Sequence, residues 1–248
     1  MKRLIIVAAA FAALTTAAHA QAIRIGTEGA YAPWNFLDDS GKPAGYEIDL
    51  GNELCKRAGL ECTWVVNEWD TIIPNLIAGN YDAIMAGMSI TDERLQTIDF
   101  SDNYFPPDPS KYVGAVGKTF DFDNLKGAKI GVQGATIQAA YAEETFKDGN
   151  TIQAYESADQ AMADLLGANL DVILADSGYL EPVVAGNSAI AFVGPDVMIG
   201  SGVGIGLRKA DDELQGKLNA ALAEAKKDGT VDKLIAQWFE GRGPYFGE

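Results

Sequence analysis

The chain has 248 residues, with 19 basic and 35 acidic side chains, a formal net charge of −16, and 48% hydrophobic and 22% charged residues. A surface this acidic argues against nucleic acids and anionic membranes as partners, because both call for a Lys/Arg stripe; its plainer role is to favour solubility. With one histidine and two cysteines, zinc chemistry and Ser-His or Cys-His catalysis lack their usual ligands and base.

The first element is a leader. Lys2 and Arg3 form a basic start, Leu4 to Ala17 is mostly apolar, and Ala18-His19-Ala20 is an A-x-A cleavage site. A signal peptide is therefore expected over residues 1–20, with the mature chain starting at Gln21 as a soluble secreted or periplasmic protein. Cleavage removes the only histidine and two basic residues, taking the net charge from −16 to about −18. A membrane span needs about 20 apolar residues, more than the leader or any later stretch offers. No cysteine follows the cleavage site, which argues against a lipid anchor. In an oxidising compartment Cys55 and Cys62 are expected to pair as a structural disulfide.

The mature chain reads as alternating strands and helices. A strand Ile23 to Gly26 leads to a polar loop around Asp38-Asp39-Ser40-Gly41. A helix through Ile48, Leu50, Leu54 and Lys56 follows, then a strand Cys62 to Val66, a helix from Trp69 to Ala78 and a strand Tyr81 to Ala86. Thr91 is placed to cap a helix whose first turn carries Asp92 and Glu93. Pro106-Pro107-Asp108-Pro109 suits neither helix nor inner strand. Next come strand Lys129 to Val132, helix Thr136 to Phe146, strand Ile152 to Tyr155, helix Ala158 to Leu166, strand Asp171 to Ala175, helix Tyr179 to Val184 and strand Ile190 to Val193. Beyond the break at Gly194-Pro195 lie a strand Val203 to Leu207 and helices Asp211 to Lys227 and Val231 to Phe239.

Two segments occur twice. Arg24-Ile25-Gly26-Thr27-Glu28-Gly29-Ala30 returns as Lys129-Ile130-Gly131-Val132-Gln133-Gly134-Ala135, and Asn80 to Gly87 returns as Asn169 to Asp176. Two similar α/β halves are implied, each with parallel strands that end in small and polar residues at a ligand crevice. The last strand and two helices have no counterpart in the second half, so they are expected to return to the first. That gives lobe 1 as 21–105 with 200–248, lobe 2 as 110–194, and hinge crossings at 106–109 and 195–199.

Three groups of residues converge on the strand ends. Ser89 and Arg94 offer a hydroxyl, a helix N-terminus and a guanidinium fork, which suit a carboxylate. Asp176, in the place of Gly87 in the first half, can hold an ammonium group. Glu28 with Tyr31 and Trp69 can make a slot for a flat or extended cation. Taken singly, each has a plainer account: a surface ion pair for Arg94, a helix N-cap for Asp176, and core packing for the aromatics.

Ser89-Ile90-Thr91-Asp92-Glu93-Arg94, Asp99-Phe100-Ser101-Asp102, Gly45-Tyr46-Glu47-Ile48-Asp49-Leu50 and Gly202 to Lys209 resemble the periplasmic polar amino-acid-binding proteins of ABC importers. Cys55/Cys62, Thr63-Trp64 and Tyr31-Ala32-Pro33 are most similar to the lysine/arginine/ornithine- and histidine-binding branch. The resemblance implies a two-lobed type II periplasmic binding fold and delivery of ligand to the membrane permease subunits of an ABC transporter. It implies no cofactor and no metal, and a monomer is the simplest state. By position it makes Arg94 and Ser89, with the Thr136 backbone, the α-carboxylate receptor and Asp176 the α-ammonium acceptor. Glu28 faces the far end of the side chain, flanked by Tyr31 and Trp69. Arginine is the first choice of ligand, then lysine, ornithine and histidine. Where that branch has two serines this chain has Ala86-Gly87, a feature it shares with opine-binding relatives. Dehydratases are known on the same fold, but no histidine or metal cluster supports catalysis here. A sensor domain would need a membrane-spanning helix.

Overall fold

The computed structural model describes residues 22–247; the expected leader and its cleavage site lie outside the described residues. Strand β1 (Ile23–Thr27) is followed by β2 (Ala30–Tyr31), β3 (Asn35–Leu37) and β4 (Pro43–Ala44), which pair as a small antiparallel sheet. The sequence reading has only a polar loop here. Asp38 Oδ1 accepts the backbone N–H groups of Ser40 (2.8 Å) and Lys42 (3.0 Å), an Asx turn that folds β3 back onto β4. Helix α1 (Tyr46–Ala58) starts from Gly45, with φ at 121°. A Cβ there would sit 2.5 Å from the Trp34 carbonyl oxygen, so only glycine fits. The helix buries Tyr46, Leu50 and Leu54 at four-residue spacing and ends in left-handed Gly59. Just before that end Cys55 is disulfide-bonded to Cys62, Cα atoms 6.1 Å apart, which ties the helix to β5 (Cys62–Val66).

Further elements differ from expectation. The helix at Trp69 opens as a 3₁₀ turn over Trp69–Thr71, and α2 covers Ile72–Ile77, with Pro74 in the first turn where its missing N–H costs nothing. Strand β6 is only Ala83–Ile84, although the N–H groups of Asp82 and Met85 extend the pairing to the Arg24 and Gly26 carbonyls. After α3 (Asp92–Thr97), capped by the Thr91 hydroxyl, come two strands that the sequence reading lacks: β7 (Asp99–Phe105) and β8 (Ser110–Ala115). They flank the proline-rich crossing.

The second half then runs β9 (Lys129–Gln133), α4 (Ile137–Phe146), β10 (Thr151–Tyr155), α5 (Ala158–Leu166), β11 (Val172–Asp176), α6 (Ser177–Ala185) and β12 (Ile190–Phe192). Helix α6 begins two residues before the expected Tyr179, directly after Asp176. Strand β13 (Val203–Leu207) and helices α7 (Asp212–Lys227) and α8 (Thr230–Trp238) complete the chain.

The two five-stranded sheets have matching orders, β5-β1-β6-β13-β7 and β10-β9-β11-β8-β12. In each, the repeated strands lie together in parallel, and the fourth strand is antiparallel and enters directly after a crossing. The crossings run side by side: Val203 pairs with Phe105, and Ser110 bridges Val197. Alternation along the inner strands fills both faces of each sheet. Val172 and Leu174 of β11 join Ile130, Val132 and Phe146 in one core, whereas Ile173 faces Leu165 and Leu170 in another.

Candidate functional site

The carboxyl ends of β1, β6, β9 and β11 face one another across a small, tightly closed cavity. It is lined by all nine residues singled out in the sequence, Glu28, Tyr31, Trp69, Ala86, Gly87, Ser89, Arg94, Thr136 and Asp176, and also by Gln133, Ile137 and Gln138. Gln133 is the repeat counterpart of Glu28, so the repeat itself held the signal for it. Gln138, the second residue of α4, carries no such mark.

Contacts between the two halves enclose the cavity. Gln133 Nε2 donates to Glu28 Oε1 at 2.6 Å and to the Glu156 carbonyl at 3.1 Å. The Tyr31 hydroxyl donates to Asp176 Oδ2 at 2.9 Å, and the Tyr31 ring stacks on Tyr179 with centroids 4.7 Å apart. Trp69 Nε1 donates to the Ala135 carbonyl at 3.2 Å.

Arg94 is placed by its helix. Thr91 fixes the start of α3, which turns the guanidinium back so that Nη1 donates to the Ser89 carbonyl at 2.8 Å while the group lies 5.3 Å from the centre of the Trp69 ring. One indole face is therefore covered by Arg94. Burial lowers the Arg94 pKa to about 10, with Asp176 and Glu93 opposing the shift, so the group stays a cation at neutral pH. Thr136 caps α4: its hydroxyl accepts the Ala139 N–H at 3.1 Å and donates to the Gln133 carbonyl at 2.7 Å.

Asp176 stands at the N-cap position of α6, yet its side chain makes no cap bond. Its oxygens instead accept from Tyr31 and from Gln138 Nε2 (2.7 Å), and each keeps a further lone pair. Burial raises its pKa to about 6, opposed by the bond from Tyr31; Asp108 adds to the rise, and Gln138 and Arg94 oppose it. Glu28, 7% exposed, is pushed to about 7, chiefly by burial. The bond from Gln133 opposes the rise, and Asp159, Glu47 and Asp70 add to it. Two acids kept short of full ionisation beside one cation prepare a site for positive charge.

Two strand-end acids and one arginine line a cleft between like α/β halves, a donor and acceptor set chemically suited to a small charged molecule. Residues 23–241 match the family model described as bacterial extracellular solute-binding proteins, family 3. The chain belongs to that family. Among its curated members, the lysine/arginine/ornithine-binding periplasmic protein of Escherichia coli is 40% identical, covering 97% of this chain and 98% of that protein. The L-arginine-binding protein of Pseudomonas aeruginosa is 36% identical, with 91% of each covered. A periplasmic His/Glu/Gln/Arg/opine family-binding protein from Silicibacter pomeroyi, solved in complex with lysine, is 48% identical with a TM-score of 0.84, covering 90% of this chain and all of that one. The fold is the type II periplasmic binding fold of family 3. Among the described residues no cluster of three or more His, Cys, Asp or Glu could hold a metal ion, and no helix is long and apolar enough to cross a membrane.

Proposed function

We propose that this family 3 solute-binding protein captures an L-amino acid with a cationic side chain, arginine first and then lysine, ornithine or histidine. The observation that carries this reading is the charge of the cavity lining, two carboxylates (Glu28, Asp176) against one guanidinium (Arg94). A neutral amino acid brings one ammonium and one carboxylate and would strand one of the acids, whereas a basic one matches all three. In this reading Arg94, Ser89 and the Thr136 backbone hold the α-carboxylate. Asp176 holds the α-ammonium, and Glu28 holds the distal cation beside Tyr31 and Trp69, above the small Ala86-Gly87 floor.

Charge-assisted hydrogen bonds contribute about 1.5–3 kcal/mol each. Four or five of them, less ordering costs, reach micromolar affinity or better, about −8 kcal/mol. The relatives, which are named as binding proteins rather than enzymes, support a binding role. The proposal extends to lobes at 21–105 with 200–248 and at 110–194, hinged at 106–109 and 195–199, and to a periplasmic monomer that delivers ligand to ABC permease subunits. Opines are the second reading. It is favoured by Ala86-Gly87, which lacks the hydroxyl partners that a pair of serines would offer there.

The test is a thermal-shift panel on ligand-free protein starting at Gln21, with the proteinogenic amino acids, ornithine, citrulline, octopine, nopaline and prephenate. A ligand at 100 times its Kd adds about 2.7 kcal/mol of stability. Shifts from arginine and its cationic relatives support the proposal, and shifts confined to opines favour the second reading. A prephenate response with silence from every amino acid would refute both.

A further inference from the structure

Two buried polar side chains have so far no part in binding: Glu47 of α1, fully buried outside the cavity lining, and Gln138 of α4, 4% exposed and part of that lining. Each is the second residue of the helix that crosses over from the first strand of its repeat. Glu47 Oε1 accepts the Gly87 N–H at 2.7 Å across 40 residues. Gln138 Nε2 donates to Asp176 Oδ1 at 2.7 Å across 38 residues. Gly87 and Asp176 are themselves repeat counterparts, so the same position of each helix grips the same cavity position of each half.

Each side chain also has a second partner, on a strand flanking the first crossing. Glu47 Oε1 accepts from the Tyr104 hydroxyl on β7, and Gln138 Nε2 donates to Ser110 Oγ on β8 at 2.9 Å. Glu47 makes one further link. Its Oε2 accepts from Asn35 Nδ2 at 2.7 Å, and Asn35 Oδ1 accepts the N–H of Gly29, next to Glu28, at 2.7 Å. That bond fixes the orientation of the Asn35 amide, so Glu47 receives three donors, the partner set of a carboxylate.

We infer that Glu47 and Gln138 are a matched pair of positioning residues that tie the ligand-lining positions Gly87 and Asp176 to β7 and β8, the two strands on either side of the hinge crossing. Their part is to hold other lining positions in place. They make the geometry of the cavity depend on the geometry of the hinge, and by reciprocity they let an occupied cavity hold the hinge strands. The inference rests on the binding reading above.

The test removes the far ends of the two links, which line no cavity. Tyr104→Phe deletes the hydroxyl that reaches Glu47, and Ser110→Ala deletes the one that reaches Gln138. Tyr112→Phe, at a buried tyrosine on β8 outside both links, is the control. Calorimetry with arginine should show affinity about 3–10-fold weaker in Tyr104→Phe and in Ser110→Ala and unchanged in Tyr112→Phe. Affinity unchanged in both, weakened in only one, or weakened equally in all three overturns the inference. Hydrogen exchange on ligand-free protein gives an independent readout: the Gly87 amide should exchange at least about tenfold faster in Tyr104→Phe. If wild-type protein binds no cationic amino acid, the proposed function fails, and the exchange result alone decides whether Tyr104 reaches Gly87 through Glu47.

Discussion

Glu28 makes the affinity for a cation depend on pH, and the size of the effect follows from its burial. With a pKa of about 7 in the ligand-free site, Glu28 is half ionised at pH 7 and about 1% ionised at pH 5. A ligand that needs the carboxylate must then expel a proton, so arginine should bind about 50-fold more weakly at pH 5 than at pH 7. Asp176, at about 6, adds about a further tenfold. The total, about 500-fold, corresponds to roughly 3.7 kcal/mol, and arginine's own charges do not change over that range. Stability of the ligand-free protein runs the other way. A carboxyl whose folded pKa lies above its unfolded value binds its proton more tightly when folded. The free protein should therefore gain stability as pH falls through 7 towards 4.5, while the stabilisation conferred by arginine shrinks. Calorimetric titration at pH 8, 7, 6 and 5 measures the first effect and thermal melts the second. In Glu28→Gln only the roughly tenfold part due to Asp176 should remain. An arginine affinity that stays flat from pH 8 to pH 5 in wild-type protein would refute the assignment of Glu28 and Asp176 to cationic groups.

Arg94→Ala should weaken binding by about 3–5 kcal/mol, about two to four decades, by leaving a buried carboxylate unpaired; tight binding retained in calorimetry would remove Arg94 from the carboxylate receptor. At pH 7.5 Glu28→Gln should cost arginine far more than glutamine, and equal losses would place Glu28 outside the side-chain pocket. Reducing Cys55–Cys62 or replacing both cysteines with serine should cost about 2.5 kcal/mol for so short a loop, a drop of about 5–10 °C in melting temperature with ligand affinity preserved. Ligand should compact the molecule, and an unchanged scattering radius at saturation would contradict hinge closure.

What could be read from the sequence follows from where the determinants lie. The strands of the two repeats announce themselves because runs such as Ile23 to Thr27 and Lys129 to Gln133 are locally apolar and bounded by turn residues. The cavity residues follow because such strands end at a crevice. Strands β7 and β8 lack that local mark. β7 pairs with β13, about a hundred residues later, and the spaced polar residues of Asp99-Phe100-Ser101-Asp102-Asn103 read equally well as loop. The β2–β4 sheet is hidden for the opposite reason, since its strands are two or three residues long and depend on the Asp38 turn. Glu47 and Gln138 look like solvent-facing helix residues, and only the tertiary fold shows that they are buried.

The placement of β13 also governs the order in which the molecule can be assembled. All five strands of the second sheet lie within residues 110–192, so that sheet can close as soon as its stretch of chain is available. The first sheet cannot: β7 pairs with β13 alone, and β13 sits between it and β6. As the chain emerges N-terminus first, β7 waits with an open edge until residues 203–207 arrive to fill the gap. The unfinished first half is thus the stretch most exposed to aggregation before the chain is complete, and one late, fully buried strand, Val203-Gly204-Ile205-Gly206-Leu207, sets when that exposure ends.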